Sequence, residues 1–272
     1  MIAIVTDSTA CLTRKEAGAY GVRIVPHTYI VEGRAYKETY ADTFAEINPI
    51  LNTKNTVMST RQPEVEDFYS AFSQLLAKGY DILCVTLSSR LSSAYYNAVL
   101  ARRQLNSGRI EVIDSGLAAG GVYLLIKRAR HLASAGMSLQ EVAGGVYKYM
   151  SSISVRFVTD DLSGLRGSHR LVNVSRSVDA FLSKKTLFYM SEGAIAAQPT
   201  AAGSARIKRM FAGIPHNASN VIIHYVQPSQ RIELVYRLAR KLFPQAQVER
   251  RQLGPVLGLY LGSSFIGVIW SI

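Results

Sequence analysis

Cysteine is nearly missing from this chain of 272 residues: Cys11 and Cys84 are the only two, and they form neither a C-x-x-C pair nor a disulfide framework. That excludes a disulfide scaffold and a thiolate zinc site, and it points to a reducing, cytoplasmic setting. G-x-G-x-x-G and G-x-x-x-x-G-K-[S/T] are absent as well, so dinucleotide and P-loop nucleotide binding are not expected. No serine stands in G-x-S-x-G, and none of His27, His131, His169, His216 and His224 belongs to a nucleophile motif. Acidic residues are few, 19 against 31 lysines and arginines, which leaves a formal charge of +12. Such an excess raises nucleic acid, an anionic membrane surface or acidic ligands as partners. The basic residues are scattered in pairs such as Arg102-Arg103, Lys127-Arg128 and Arg250-Arg251, with no long basic tail or aromatic RNA-binding signature. A solvated basic surface accounts for them, so no nucleic-acid partner is expected, and transient contact with an anionic membrane stays open.

Apolar residues make up 48% of the chain, enough to bury one large core or two modest ones. Asp7 interrupts the first apolar run and no basic stretch precedes it, so no signal peptide is expected. Leu253 to Ile272 carries no charge, and Gly254, Gly258 and Gly262 have the spacing of packed membrane helices. A tail anchor is therefore one reading of this run. Gly254-Pro255 at its start, Ser263-Ser264 inside it and the strand-like Ser264 to Trp270 favour a folded edge instead.

The stretch Thr86 to Ala98, TLSSRLSSAYYNA, organises the rest. The apolar run Ile82 to Val85 before it reads as a buried strand, and Tyr95, Ala98, Ala101 and Leu105 after it have helical spacing. Ser88, Ser89, Ser92 and Ser93 crowd the turn between them. Hydroxyls beside the free amides of a helix start suit a carboxylate or phosphate, and an ordinary serine cap explains only one or two of these serines.

Other segments repeat the pattern. Met1 to Val5 reads as a strand ending in Thr6-Asp7-Ser8-Thr9, and Ile110 to Ile113 as another ending in Asp114-Ser115. The first Asp-Ser pair is a candidate ligand contact, since open α/β sheets bind ligands at strand C-terminal ends, and the second echoes it. Val22 to Val31 reads as one strand region around Pro26-His27. Thr60 lies at or just before the start of a helix over Pro63 to Lys78, either as a cap or aimed at a ligand in the serine turn. Beyond about residue 150 the grain changes to a hairpin across Glu192-Gly193, helices near Ser204 to Phe211 and Gln230 to Leu242, and short strands. The expected fold is α/β with two domains: residues 1–152 as a mostly parallel sheet flanked by helices, and 153–272 as a mixed α+β unit.

The segments TDSTACL, STRQP, LSSRLSSAYYNA, VIDSGLAAGG, FVTDDLSGLRGSHR and LGPVLGLYLG, in that order, together resemble the DegV family. The resemblance implies two α/β domains enclosing one long-chain fatty acid as bound ligand, with no cofactor, no metal and no catalytic residue. It also implies a separate fatty acid kinase subunit that phosphorylates the presented carboxylate. On matching motifs, Thr60 and Ser92 would hold that carboxylate, Ser93 stands beside Ser92, and Arg170 closes the glycine-rich turn near it. Tyr260 stands where the family commonly has histidine, and its hydroxyl still donates a hydrogen bond. Arg61 and Ser93 replace a common serine and glycine. Thr200-Ala201-Ala202 replaces the lysine and arginine offered to the kinase, so the binding role carries over more fully than phosphotransfer. Burying roughly 14 methylenes at about 0.8 kcal/mol each gives a gross drive on the order of 11 kcal/mol, so the tail supplies affinity and the head group orientation. Two rivals remain: a serine-dependent acyl hydrolase or transferase using Ser92, and a basic nucleic-acid-binding regulator.

Overall fold

The computed structural model describes residues 1–44, 58–161, 164–165, 186–199 and 204–272. The chain divides into two compact units, one of Met1–Thr43 with Thr56–Ser151, the other of Phe44–Asn55 with Ser152–Ile272.

The first unit contains β1 (Ile2–Asp7), α1 (Arg14–Tyr20), β2 (Val22–Val25), β3 (Thr28–Val31), β4 (Arg34–Lys37), β5 (Met58–Arg61), α2 (Val65–Ala77) and β6 (Asp81–Thr86). It continues with α3 (Ala94–Leu105), β7 (Ile110–Asp114), α4 (Gly120–Ser134) and α5 (Leu139–Met150). Four strands form a parallel sheet in the order β2-β1-β6-β7. Its two central strands, IAIVTD and DILCVT, are buried at every position after the first, as expected of strands covered on both faces. One face packs Val5, Ile82, Cys84 and Val112 against Phe68, Phe72, Ala94, Ala98 and Ala101 of α2 and α3. The alanines of α3 let it lie close to the sheet. α4 and α5 contact the sheet as well, and α5 starts at a capping box between Ser138 and Glu141.

The apolar stretch Val22 to Val31 is not one strand. β2 ends at Val25, and after Pro26-His27 the chain enters a separate antiparallel sheet in the order β4-β3-β5. Proline cannot donate to a ladder, which makes this a natural place to leave one sheet for another.

The second unit contains β8 (Ile153–Val158), β9 (Thr186–Ser191), β10 (Ala194–Pro199), α6 (Ser204–Phe211), β11 (Asn220–Tyr225), α7 (Gln230–Leu242), β12 (Gln247–Gln252), α8 (Pro255–Leu261) and β13 (Ile266–Ser271). Its mixed sheet runs β10-β9-β8-β13-β11-β12, with only β11 and β12 parallel. β9 and β10 form the hairpin across Glu192-Gly193, both at positive φ (49° and 80°). One sheet face packs Val221, Ile223, Val268 and Trp270 against Met210 and Phe211 of α6, Val235 of α7 and Phe243 just past its end. The uncharged run from Leu253 is thus spent on α8, which has Pro255 in its first turn, and on β13 inside the sheet. Among the described residues no helix is long and apolar enough to cross a membrane.

Candidate functional site

In the parallel sheet, β1 leads through α1 to β2 on one side, while β6 leads through α3 to β7 on the other. The order reverses between β1 and β6, so the crevice beyond their C-terminal ends is where such sheets receive ligands. The serine turn leaves β6 at this point. Asp7, fully buried, spans the crevice: Oδ2 accepts from the Leu87 amide at 2.7 Å and Oδ1 from the Thr9 amide at 3.0 Å. Asp114 does the same from β7, its Oδ1 accepting from the Ser89 amide at 3.0 Å and the Gly116 amide at 3.1 Å. Asp7, a candidate ligand contact by sequence, and its echo Asp114 are therefore brackets that hold the turn, with both oxygens of Asp7 and Oδ1 of Asp114 engaged by backbone amides.

The serines divide by role. Ser88 is buried; its hydroxyl accepts from the Arg90 amide at 3.2 Å and its carbonyl from the Ser92 amide at 3.1 Å. Ser92 is half-buried, and its hydroxyl accepts from the Ala94 amide at 3.2 Å, an arrangement that leaves its proton available to donate. Ser93 is exposed and, although it is the cap residue of α3, its side chain caps nothing. Among the described residues no side chain other than Ser92 accepts from the amides of the first turn of α3, so donors collect where the helix dipole is positive.

Thr60 is not a helix cap. It lies in β5 opposite Tyr29 of β3, half-buried, and Glu64 caps α2. A strand is a stiffer mount than a fraying helix start. Asn97, in the second turn of α3, donates from Nδ2 to the Pro63 carbonyl at 2.8 Å. That bond ties the segment just after Thr60 to the helix just after Ser92, and no sequence signal marks it, since it joins an asparagine to a backbone oxygen. Arg61, next to Thr60, is exposed.

Tyr260 belongs to the second unit, half-buried near the end of α8. The chain beyond β8 clasps this end: Thr159 Oγ1 donates to the Leu261 carbonyl at 2.6 Å, and the Asp160 amide donates to Ser264 Oγ at 2.8 Å. Gly164 lies so close that a Cβ there would come within 2.6 Å of the Leu259 carbonyl and 2.7 Å of the Tyr260 Cα. Both obstacles are backbone, so this position admits no side chain without displacing α8. Arg170, His169 and Thr200-Ala201-Ala202 lie outside the described residues.

Among the described residues no histidine hydrogen-bonds to Ser92. His224, in the middle of β11, is fully buried, and burial together with neighbouring Arg251 pushes its pKa down to about 3. The Cys84 thiol is pushed well up by burial and by Asp7. Among the described residues no group of His, Cys, Asp and Glu is placed to hold a metal ion. A shallow groove lined by Val99, Arg102, Arg103, Asn106, Ser107 and Gly108 lies at the far end of α3, about 14 Å along the helix from Ala94 at 1.5 Å per residue, away from the serine turn.

Comparison with known proteins agrees with this architecture. A family model described as an uncharacterised protein of the DegV family matches residues 1–272. A DegV domain-containing protein of Halalkalibacterium halodurans is 29% identical over 282 residues, covering 100% of this chain and 98% of that protein. Among solved structures, one described as fatty acid binding of a DegV family protein from Thermus thermophilus superposes with a TM-score of 0.86 at 24% identity, covering 99% of each chain. DegV of Bacillus subtilis, described as a fatty acid binding protein, gives 0.87 at 19% identity, covering 100% of this chain and 99% of that one. A stearic acid-binding protein of Eubacterium ventriosum gives 0.85 at 19% identity, covering 100% and 98%. Matched by that family model along its whole length, this chain belongs to the DegV family.

Proposed function

We propose that this protein binds one long-chain fatty acid, with the carboxylate taken by the Thr60 and Ser92 hydroxyls and the open amides at the start of α3, and the acyl chain in an apolar pocket. The observation that carries the reading is the Asn97–Pro63 bond, which fixes the strand bearing Thr60 to the helix that the serine turn opens. A carboxylate removed from water needs several donors, and two hydroxyls with helix-start amides supply them. Relatives described as binding stearic, vaccenic or heptadecanoic acid indicate the class of ligand. Residues 1–152 would carry this head-group site and residues 153–272 would add Arg170 and Tyr260 toward it, with Ser93 a supporting donor.

The protein is a carrier in this reading, not an enzyme. Ser92 accepts from a backbone amide, and no described histidine hydrogen-bonds to it, which disfavours a hydrolase. Presentation of the acid to a separate kinase subunit, for acyl-phosphate formation, is part of the same proposal, with Thr200-Ala202 in place of the usual basic contact. We assign it to the cytoplasm, without a nucleic-acid partner. Native mass spectrometry followed by organic extraction tests the reading: one fatty acid per chain is expected. A protein that is empty and takes up no added oleate or stearate would overturn it.

A further inference from the structure

The small antiparallel sheet β4-β3-β5 brings a second polar side chain beside Thr60. Tyr29 of β3 is paired with Thr60 of β5 on one side and with Tyr36 of β4 on the other. Directly opposed residues of an antiparallel pair project to the same sheet face, with Cβ atoms about 4.5–5.5 Å apart. Tyr36, Tyr29 and Thr60 therefore form one row across the three strands. The two tyrosine rings stack with centroids 5.3 Å apart and planes 12° apart, close to the strand spacing of about 4.8 Å, so both rings stand upright from the sheet. Tyr36 covers one face of the Tyr29 ring, and Thr60, with a much shorter side chain, stands beside the other. The row ends in a step, with the threonine hydroxyl at its foot and the Tyr29 phenol at its top.

Tyr29 is 5% exposed and Tyr36 43%, so the stack shields the inner ring. No described residue hydrogen-bonds to the Tyr29 hydroxyl, whereas polar groups on buried side chains ordinarily have a partner. The phenol is neutral, pushed up to about 12 by burial, then by Glu38 and Tyr36. It therefore offers a proton at any working pH and brings no charge of its own. Its mount leads to the same crevice as the serine turn. The amide of His27, one residue before β3, donates to Ser8 Oγ at 3.1 Å, and His27 Nδ1 lies 3.8 Å from Asp7 Oδ1. Ser8 directly follows β1 and donates in turn to Glu38 Oε1 at 2.9 Å, while Asp7 holds the Leu87 amide at the root of the serine turn. β3 is thus tied to the end of β1 by bonds separate from the Asn97–Pro63 bond that ties the Thr60 segment to α3. Two independent attachments converge on one place.

We propose that Tyr29 is a further binding residue of the head-group site: its hydroxyl donates to the fatty acid carboxylate beside Thr60. This rests on the fatty-acid reading above. A carboxylate has room for about four hydrogen bonds, more than the hydroxyls of Thr60 and Ser92 fill. Tyr29→Phe removes the donor and keeps the ring that stacks on Tyr36. Measured by displacement of a fluorescent fatty acid, oleate should bind about tenfold more weakly to this variant than to wild type, the scale of one hydrogen bond to a charged group. Methyl oleate, which has the same tail and no charge, should change by no more than about twofold, so a general loosening of the fold, which would weaken both, is told apart from the loss of a head-group donor. Tyr36→Phe, on the far side of the stack, should bind both ligands as wild type does. In wild-type protein with labelled tyrosine, oleate should shift the Cζ resonance of Tyr29, assigned by its loss in Tyr29→Phe. Oleate held equally by wild type and Tyr29→Phe, a parallel loss of oleate and methyl oleate, or a Cζ resonance that oleate does not move would overturn the inference while leaving the carrier reading intact. A wild-type protein that takes up neither ligand would remove both.

Discussion

His27 in the first unit and His224 in the second are both buried, yet their neighbours are of opposite sign. His27 lies past a strand end among Asp7, Glu38 and Ser8. His224 lies in the middle of β11, in register with Arg251 on one side and Gly267 on the other. A Cβ at position 267 would fall 2.8 Å from the Phe265 ring and at an ordinary 3.6 Å from the Cβ of His224, so the glycine makes room for the Phe265 ring. Equal burial leads to different chemistry: beside carboxylates an imidazole can hold a proton, and beside a guanidinium it stays neutral and fills space. In the second unit Arg206 is 2% exposed and paired with Asp160, an acid that Arg231 also reaches at 3.6 Å.

That contrast can be broken at several points. Asp160→Ala removes a carboxylate that pairs with buried Arg206, and a loss of about 3 kcal/mol is expected from urea unfolding; a loss below about 1 kcal/mol would show that the other contacts of the guanidinium suffice. His224→Leu should act on the pH dependence of stability. With a folded pKa of about 3 against about 6.5 unfolded, wild type loses stability as pH falls from about 6.5 toward about 3. Between pH 7 and pH 5 that amounts to about 2 kcal/mol, and the variant should lack this slope. Unfolding curves at the two pH values decide it, and equal slopes in both proteins would refute the neutral assignment. Ser92→Ala should weaken fatty acid retention about tenfold, the scale of one hydrogen bond to a charged group, and by more than Cys11→Ala; extraction and mass spectrometry of the two proteins compare them. Tyr260→Phe should cost only about twofold in the same measurement if the head-group site is complete within the first unit. A larger effect from Tyr260 than from Ser92 would move the centre of the head-group site to the second unit.

Much of the fold was legible because its signals are local. Alternating apolar strands and helices, the Asp-Ser endings of β1 and β7, the Glu192-Gly193 hairpin and the serine turn are all written within a few residues. Ser138 and Glu141 also spell a capping box, which marks α5 where apolar periodicity alone does not. The place of Thr60 in a strand was hidden because β5 is four residues long, MSTR, and its pairing with β3 is not local. The engagement of Asp7 and Asp114 by backbone amides was hidden for a similar reason: a carboxylate at a strand end looks the same whether it meets a ligand or a neighbouring turn. Asn97 and Glu38 carried no signal, since their partners are distant in sequence.

The place of β13 bears on how the second unit is made. It lies between β8 and β11, with Ile266 paired to both Val158 and Tyr225, although the chain builds β8 through β12 before reaching it. Until β13 arrives, β8 and β11 present unpaired edges, and closing the gap joins segments far apart in sequence. Such non-local closure slows folding and prolongs exposure of edges that can pair with other chains. The uncharged run from Leu253 to Ile272 therefore acts as a wedge, and the interval before it inserts is when this protein is most open to aggregation.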